Sequence, residues 1–132
     1  MPETPHPFSA LVGGRVLTYF DEAFVQYGQG KFRGTYDYCL LALNSTVFEL
    51  KPQGKRLFEW LASLEGEGKL GQEVLEFARG REFMVKHDRG ITDMDLSYMS
   101  AGDLQDLVHF LELFYRSLKA NGVALVNDPR GV

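Results

Sequence analysis

The first half of the chain carries its hydrophobic residues in short runs rich in β-branched and aromatic side chains. The first run follows the chain-breaking pair Gly13-Gly14, and Asn44-Ser45 is typical of a turn before the last run. The runs are residues 15–20, 23–27, 32–43 and 46–50. This pattern predicts a meander of three or four antiparallel strands.

The segment from Val16 to Tyr27 also fits a helix. Val16, Phe20, Phe24 and Tyr27 fall near one face when successive residues are turned by about 100°. The segment is rich in residues that favour strands, but its spacing is ambiguous. Both interpretations therefore stay open.

The middle of the chain has the hydrophobic spacing of two helices. The first follows Pro52, places Leu57, Phe58, Leu61 and Leu64 on one face, and ends at Gly66 and Gly68. The second contains Leu70, Val74, Leu75 and Ala78 and ends at Gly80. Residues 81–99 then predict a hairpin, because alternation in 91–99 follows the turn Asp88-Arg89-Gly90.

The last helix has the clearest start and stop signals in the chain. Ser100 and Asp103 form a capping pattern at its start, and Asn121-Gly122 ends it. Its apolar stripe spans roughly 160°, more than a helix on one sheet face needs. Leu113 projects from the opposite, polar side, and a short strand over 123–126 follows the helix. The stripe gathers Leu104, Leu107, Val108, Leu111, Phe114, Tyr115 and Leu118, with Phe110 at its edge.

Together these elements predict an α+β fold, an antiparallel sheet (meander plus a later hairpin) packed against about three helices. The 132 residues fit one domain, with a flexible proline-rich N-terminus over about 1–10 and a C-terminal tail over 127–132. His6, in the N-terminal segment, is expected in solvent.

Composition and charge restrict the classes of function. The apolar fraction of 45% and the charged fraction of 24% are those of a soluble domain with a core. A net charge of −4 does not favour duplex DNA or anionic membranes as partners, since both need a basic face. No apolar run approaches the roughly 20 residues of a membrane span. With one cysteine and no signal-peptide pattern, we expect a cytoplasmic protein.

The glycine-rich string from Gly28 to Gly34 is a candidate site for an anion or for single-stranded nucleic acid. Lys31 and Arg33 would supply charge, and Tyr27, Phe32 and Tyr36 would supply rings for base stacking. So few charges and rings would support only weak binding. A simple glycine-rich turn explains the same residues, and nucleic acid is not the expected partner.

His87, Asp88, Asp93 and Asp95 form the densest group of potential metal ligands or proton-transfer groups, and His87, Asp93 and Asp95 are the candidate metal ligands among them. Carboxylates suit hard cations, and a histidine beside a carboxylate can act as a general base. Their spacing matches no recognised metal loop, so no metal or other cofactor is predicted. Cys39 falls in a predicted core strand, and His109 lies with Glu112 and Arg116 on the polar side of the last helix.

No complete catalytic set is found, and the most functional-looking surface is apolar. Trp60, expected to be half exposed, together with Phe110 and Leu113, would contact a partner. The leading hypothesis is a non-enzymatic protein-interaction or regulatory module, which self-association as a homodimer would also fit. The alternatives are a small enzyme or ligand-binding domain with its site at the 87–95 hairpin, and a weak single-strand binder through Lys31 to Tyr36.

Overall fold

The computed structural model describes residues 6–52, 54–81 and 100–123, and all the secondary structure in these ranges is helical. A short 3-10 turn, Pro7–Ala10, comes first, and five α-helices follow in the described ranges. They are α1 (Gly14–Gly28), α2 (Phe32–Leu50), α3 (Leu57–Gly66), α4 (Gln72–Arg79) and α5 (Ala101–Ala120).

The predicted α+β fold is wrong, since no strand occurs among the described residues. All four predicted strands of the meander lie in α1 and α2, and Asn44-Ser45 lies inside α2. The helical interpretation of Val16 to Tyr27 is confirmed. The physical reason is that strand preference is weak and yields to burial, and the buried positions recur at helical spacing. In α2 they are Thr35, Tyr36, Cys39, Leu40, Ala42, Leu43, Thr46 and Val47.

The three later helices are confirmed with their end signals. Ser100 Oγ accepts a hydrogen bond from the Asp103 amide at 3.1 Å, and the Asp103 carboxylate accepts one from the Ser100 amide at 3.2 Å. This reciprocal pair satisfies two amides that have no partner within the helix. The predicted hairpin over 81–99 and the strand over 123–126 lie outside the described residues apart from their first positions.

The helices surround one core. α1 packs along α2 after a tight turn, α5 packs against both α2 and α4, and α3 packs against α4. At the centre Phe8 stacks on Phe20 with ring centroids 3.9 Å apart, and Tyr115 meets both rings edge-on. The Tyr115 hydroxyl lies 2.7 Å from Thr46 Oγ1 and donates to the Ala42 carbonyl at 3.3 Å, so this buried polar group is satisfied.

The wide apolar stripe of α5 is explained by these contacts inside the domain. A helix lodged between α2 and α4, with the 3-10 turn against it as well, buries more than one face. Phe110 is fully buried and stacks on Phe114 at 5.7 Å. Trp60 is only 2% exposed and also packs on Phe114, so the prediction that it is half exposed is wrong. Leu113 is partly buried against the same core.

Residues 6–10 pack against the helices. Phe8 is completely buried. The His6 side chain, predicted to lie in solvent, is 7% exposed and stacks on Phe24 at 4.7 Å. His6 Nε2 lies 2.7 Å from Asp21 Oδ1, and His6 Nδ1 accepts a hydrogen bond from the Phe8 amide.

Candidate binding groove

An open groove of about 440 Å³ lies between the α1–α2 turn and the first half of α5. That volume is within the roughly 300–1,000 Å³ typical of ligand pockets. One wall comes from the end of α1 and the start of α2, and the other comes from α5. The lining residues are Phe24, Tyr27, Phe32, Thr35, Ala101, Leu104, Gln105, Val108, His109 and Glu112.

The first wall is a row of aromatic rings. Phe24 contacts Tyr27 with centroids 6.4 Å apart, and Tyr27 contacts Phe32 at 5.7 Å. Tyr27 and Phe32 are 54% and 51% exposed, although both are large apolar side chains. Behind the row, His6 stacks on Phe24, so the N-terminal segment supports this wall from outside the groove.

The turn between α1 and α2 brings Tyr27 and Phe32 together. The Gly30 amide donates to the Tyr27 carbonyl at 3.0 Å, and the Lys31 amide donates to the Gln26 carbonyl at 2.9 Å. These two bonds form a Schellman motif, which requires the residue after the helix cap to adopt a left-handed conformation. Gly30 supplies that conformation with φ of 75°. The contact between the Tyr27 and Phe32 rings therefore depends on the turn that Gly30 makes possible.

The α5 wall has an apolar floor and a polar rim. Leu104 is buried and Val108 partly buried, and Gln105, His109 and Glu112 line the groove beside them. Glu112 Oε2 accepts a hydrogen bond from Arg116 Nη2 at 2.6 Å, which fixes the carboxylate. A carboxylate, an amide and an imidazole together can accept hydrogen bonds from a bound group.

The His109 ring is held from the side of α4. It meets the Phe77 ring edge-on at 4.7 Å, and the Arg81 guanidinium lies 4.1 Å above the centroid of Phe77. Arg81 Nε lies 3.1 Å from Asp106 Oδ2, which places the guanidinium on that ring. The ring of His109 is thus positioned by an aromatic contact, a cation–π contact and an ion pair in series.

The groups with shifted pKa values lie in the core. Burial raises the pKa of the Cys39 thiol to about 12 and raises the pKa of Tyr115. Burial, followed by the negative charges of Asp103 and Asp37, raises the pKa of Tyr36. Cys39 is a buried free thiol, as predicted. None of these three residues lines the groove.

The structure separates the predicted nucleic-acid residues. Lys31, Phe32 and Arg33 are exposed at the start of α2, where a hairpin was predicted. Tyr36 is 1% exposed and cannot stack on a base. Tyr27 and Phe32, two of the three predicted stacking rings, line the groove.

The other predicted sites are placed as follows. Trp60 and Phe110 are core residues, and Leu113 is partly buried, so these three do not form an exposed patch. His87, Asp93 and Asp95 lie outside the described residues. Within the described ranges no three His, Cys, Asp or Glu side chains are grouped to hold a metal ion. None of the helices in those ranges has the length and hydropathy of a membrane span.

Most of the groove is not predicted from the sequence. The helical pattern of α5 places His109 and Glu112 on the polar face and Leu104 and Val108 in the core stripe. One signal was present in the sequence, because Tyr27 and Phe32 flank a glycine-rich turn where exposed rings are not needed for folding. Comparison of the chain with protein-family models, with curated proteins and with solved structures finds no match.

Proposed function

We propose that this chain is a protein-binding module that takes an aromatic side chain of its partner into the groove between the α1–α2 turn and α5. The observation that carries this proposal is the exposure of Tyr27 and Phe32, which contact each other yet leave half of their surface in water. Exposed rings that line a concave, otherwise apolar surface are typical of interaction sites.

An aromatic anchor fits both walls of the groove. Its ring would contact the edges and faces of Phe24, Tyr27 and Phe32 on one side and the aliphatic Leu104 and Val108 on the other. Aromatic pairs contribute about 0.5–1.5 kcal/mol each beyond the burial of their area. Side chains that fill such pockets dominate binding, and truncating one typically costs about 2 kcal/mol or more.

The polar rim favours tryptophan or tyrosine over phenylalanine as the anchor. The indole N–H or the phenol O–H needs an acceptor when its ring is buried. Gln105 and Glu112 line the groove on α5 and carry acceptor oxygens. The ligand is therefore a polypeptide segment with a tryptophan or tyrosine anchor, and the groove supports a role as an interaction or regulatory module.

Selection of peptides from a phage-displayed random library tests this proposal. The wild-type chain is expected to enrich peptides with a tryptophan or tyrosine at a fixed position. Binding of a selected peptide, free in solution, is then measured by fluorescence anisotropy. Phe32→Ala and Gln105→Trp, which respectively remove a ring and fill the groove, should each weaken binding about 30-fold.

Phe48→Ala is the matched control, because it removes an exposed ring from α2 outside the groove. It should leave the affinity within about twofold of wild type. Selected peptides that lack an aromatic residue, or that bind the Phe32→Ala and Phe48→Ala variants equally well, would contradict the proposal.

A further inference from the structure

A second exposed apolar feature runs along α2, away from the groove. Phe48 is 89% exposed and Leu41 is 42% exposed. They are seven residues apart, so at about 100° per residue they point within roughly 20° of each other. Asp37 and Asn44 in α2, and Lys51 at its C-cap, continue this row at alternating spacings of three and four residues. We call these five residues the α2 stripe.

We propose that the α2 stripe binds a second copy of this chain, with the two α2 helices antiparallel around a two-fold axis near Asn44. The order along the stripe is acidic, apolar, polar, apolar and basic. Reversing that order brings Leu41 to Phe48 and Asp37 to Lys51 of the second copy. A surface that is complementary to itself in this way is what a two-fold interface requires.

The charges at the two ends of the stripe can meet across the axis. Lys51 Nζ donates to the carbonyl oxygens of Pro52 and Lys55 in the same chain. An ammonium group has three donors, so one is left for the Asp37 carboxylate of the second copy. Two such pairs form in an antiparallel dimer. A parallel dimer would instead place Asp37 against Asp37 and Lys51 against Lys51.

The residue at the centre of the α2 stripe suits a position on the two-fold axis. Asn44 would face its own counterpart, and a single asparagine in a helix–helix contact fixes register, because its amide needs the opposing amide as a partner. Ser45 lies beside it on the same side of the helix. The hydrophobic contact is small, so the dimer should be weak and should depend on protein concentration.

Dimerisation through the stripe leaves the groove accessible. Counting about 100° per residue, Thr35 and Phe32 lie roughly 120° and 180° around α2 from Leu41. The dimer would therefore carry two open grooves. The inference does not depend on what the grooves bind, and its test involves no peptide.

Sedimentation velocity over a range of concentrations tests the dimer directly. The wild-type chain should pass from monomer to dimer, and Phe48→Asp should raise the dissociation constant about tenfold or more. Since Phe48 is 89% exposed, this variant should keep the melting temperature of the wild-type monomer. A wild-type chain that stays monomeric at every concentration would overturn the proposal, and so would a dimer unaffected by Phe48→Asp.

Disulfide trapping tests the antiparallel register and does not rely on the Phe48 variant. The chain has one cysteine, Cys39, which is buried, so an added cysteine is the reactive thiol. Helix axes about 8–10 Å apart bring facing Cα atoms within the roughly 4.4–6.8 Å that a disulfide spans. Asn44→Cys should therefore form a disulfide-linked dimer.

The two ends of the stripe provide the control for this experiment. In the antiparallel arrangement, residue 37 lies about 21 Å along the helix from its own counterpart. Asp37→Cys alone and Lys51→Cys alone should therefore form no disulfide dimer, whereas a mixture of the two should form the mixed disulfide. Self-linked dimers of each end variant, or no linkage through residue 44, would overturn the antiparallel interface.

Discussion

At the scale of single residues, the core tolerates the buried hydroxyls of Tyr115 and Thr46 because both have hydrogen-bond partners. Tyr115 and Thr46 lie together, and both hydroxyls reach the Ala42 carbonyl. The neighbouring Cys39 thiol has no such network, and burial keeps it protonated by raising its pKa to about 12. Between about pH 9 and 12, the thiol is therefore protonated in the folded chain and ionised in the unfolded chain.

The stability of the fold should fall at alkaline pH because of Cys39. The ordinary pKa of a cysteine thiol is 9.0, and burial in the folded chain raises the pKa of Cys39 to about 12. Below pH 9 both states carry the proton, and above it the unfolded chain ionises first, which lowers the free energy of unfolding. From pH 8 to 10 the wild-type chain should lose about 1 kcal/mol more than Cys39→Ala, as measured by urea unfolding.

The control is the difference in the free energy of unfolding between the wild-type chain and Cys39→Ala, because the two chains share every other titrating group. A constant difference across pH 8 to 10 would contradict the assignment of a raised pKa to Cys39. The same burial predicts that a thiol reagent reacts with Cys39 only when the surrounding structure opens, and therefore more slowly than with the unfolded chain.

At the scale of elements, the turn between α1 and α2 is the smallest unit that shapes the groove. It joins the two helices with a Schellman motif at Gly30 and thereby sets Tyr27 against Phe32. Gly28, two residues earlier, lies in the last turn of α1 and has helical backbone geometry. The backbone conformation of the turn therefore requires a glycine at position 30 and does not require one at position 28.

Gly30→Ala should destabilise the chain, whereas Gly28→Ala should not. A Cβ at either position meets no atom within 4 Å, so packing does not distinguish them. At Gly30 the φ of 75° costs an alanine roughly 1–2 kcal/mol. At Gly28 an alanine gains up to about 1 kcal/mol through its helix propensity. Thermal unfolding of both variants checks this, and equal melting temperatures would contradict the role of Gly30.

Helices whose apolar residues have a clear helical spacing could be predicted from the sequence. α3 and α4 have that spacing and end at glycines, and α5 has in addition a capping box and an Asn-Gly end. α1 also ends in a glycine turn, but the aromatic and β-branched residues of α1 and α2 favour strands. What decides between the two structures is burial on several sides of α2, which depends on partners that the local sequence does not contain.

The groove was harder to predict for the same reason. Its walls come from residues about 80 positions apart in the chain, joined only once α5 packs on α2. The sequence indicates Tyr27 and Phe32 as exposed rings, but it places the residues of the opposite wall, Leu104, Val108 and His109, in the core or in solvent. Trp60 and Phe110 were selected as contact residues because helical spacing places a residue on a face, and it does not say how many neighbours cover that face.

At the scale of the whole molecule, the N-terminal segment connects the core to the groove. Phe8 stacks on Phe20 in the core, and His6, two residues earlier, stacks on Phe24 in the groove wall. Lys119 also donates to the Ala10 carbonyl, so the segment is tied to the end of α5. The segment from His6 to Ala10 thus contributes both to the core and to the support of the groove wall.

Phe8→Ala should therefore lower the free energy of unfolding, whereas His6→Ala should mainly disturb the aromatic wall of the groove. Removing a fully buried phenylalanine leaves a cavity and destabilises by about 3–5 kcal/mol. His6→Ala removes the ring stacked on Phe24 and the contact with Asp21, and should change the amide NMR signals of Phe24 and Tyr27 with a smaller loss in melting temperature. Ser9→Ala, at an exposed position of the same turn, should leave both observations unchanged. Phe8→Ala with wild-type stability would mean that the segment does not fill the core, and the support it gives the aromatic wall would then have no anchor.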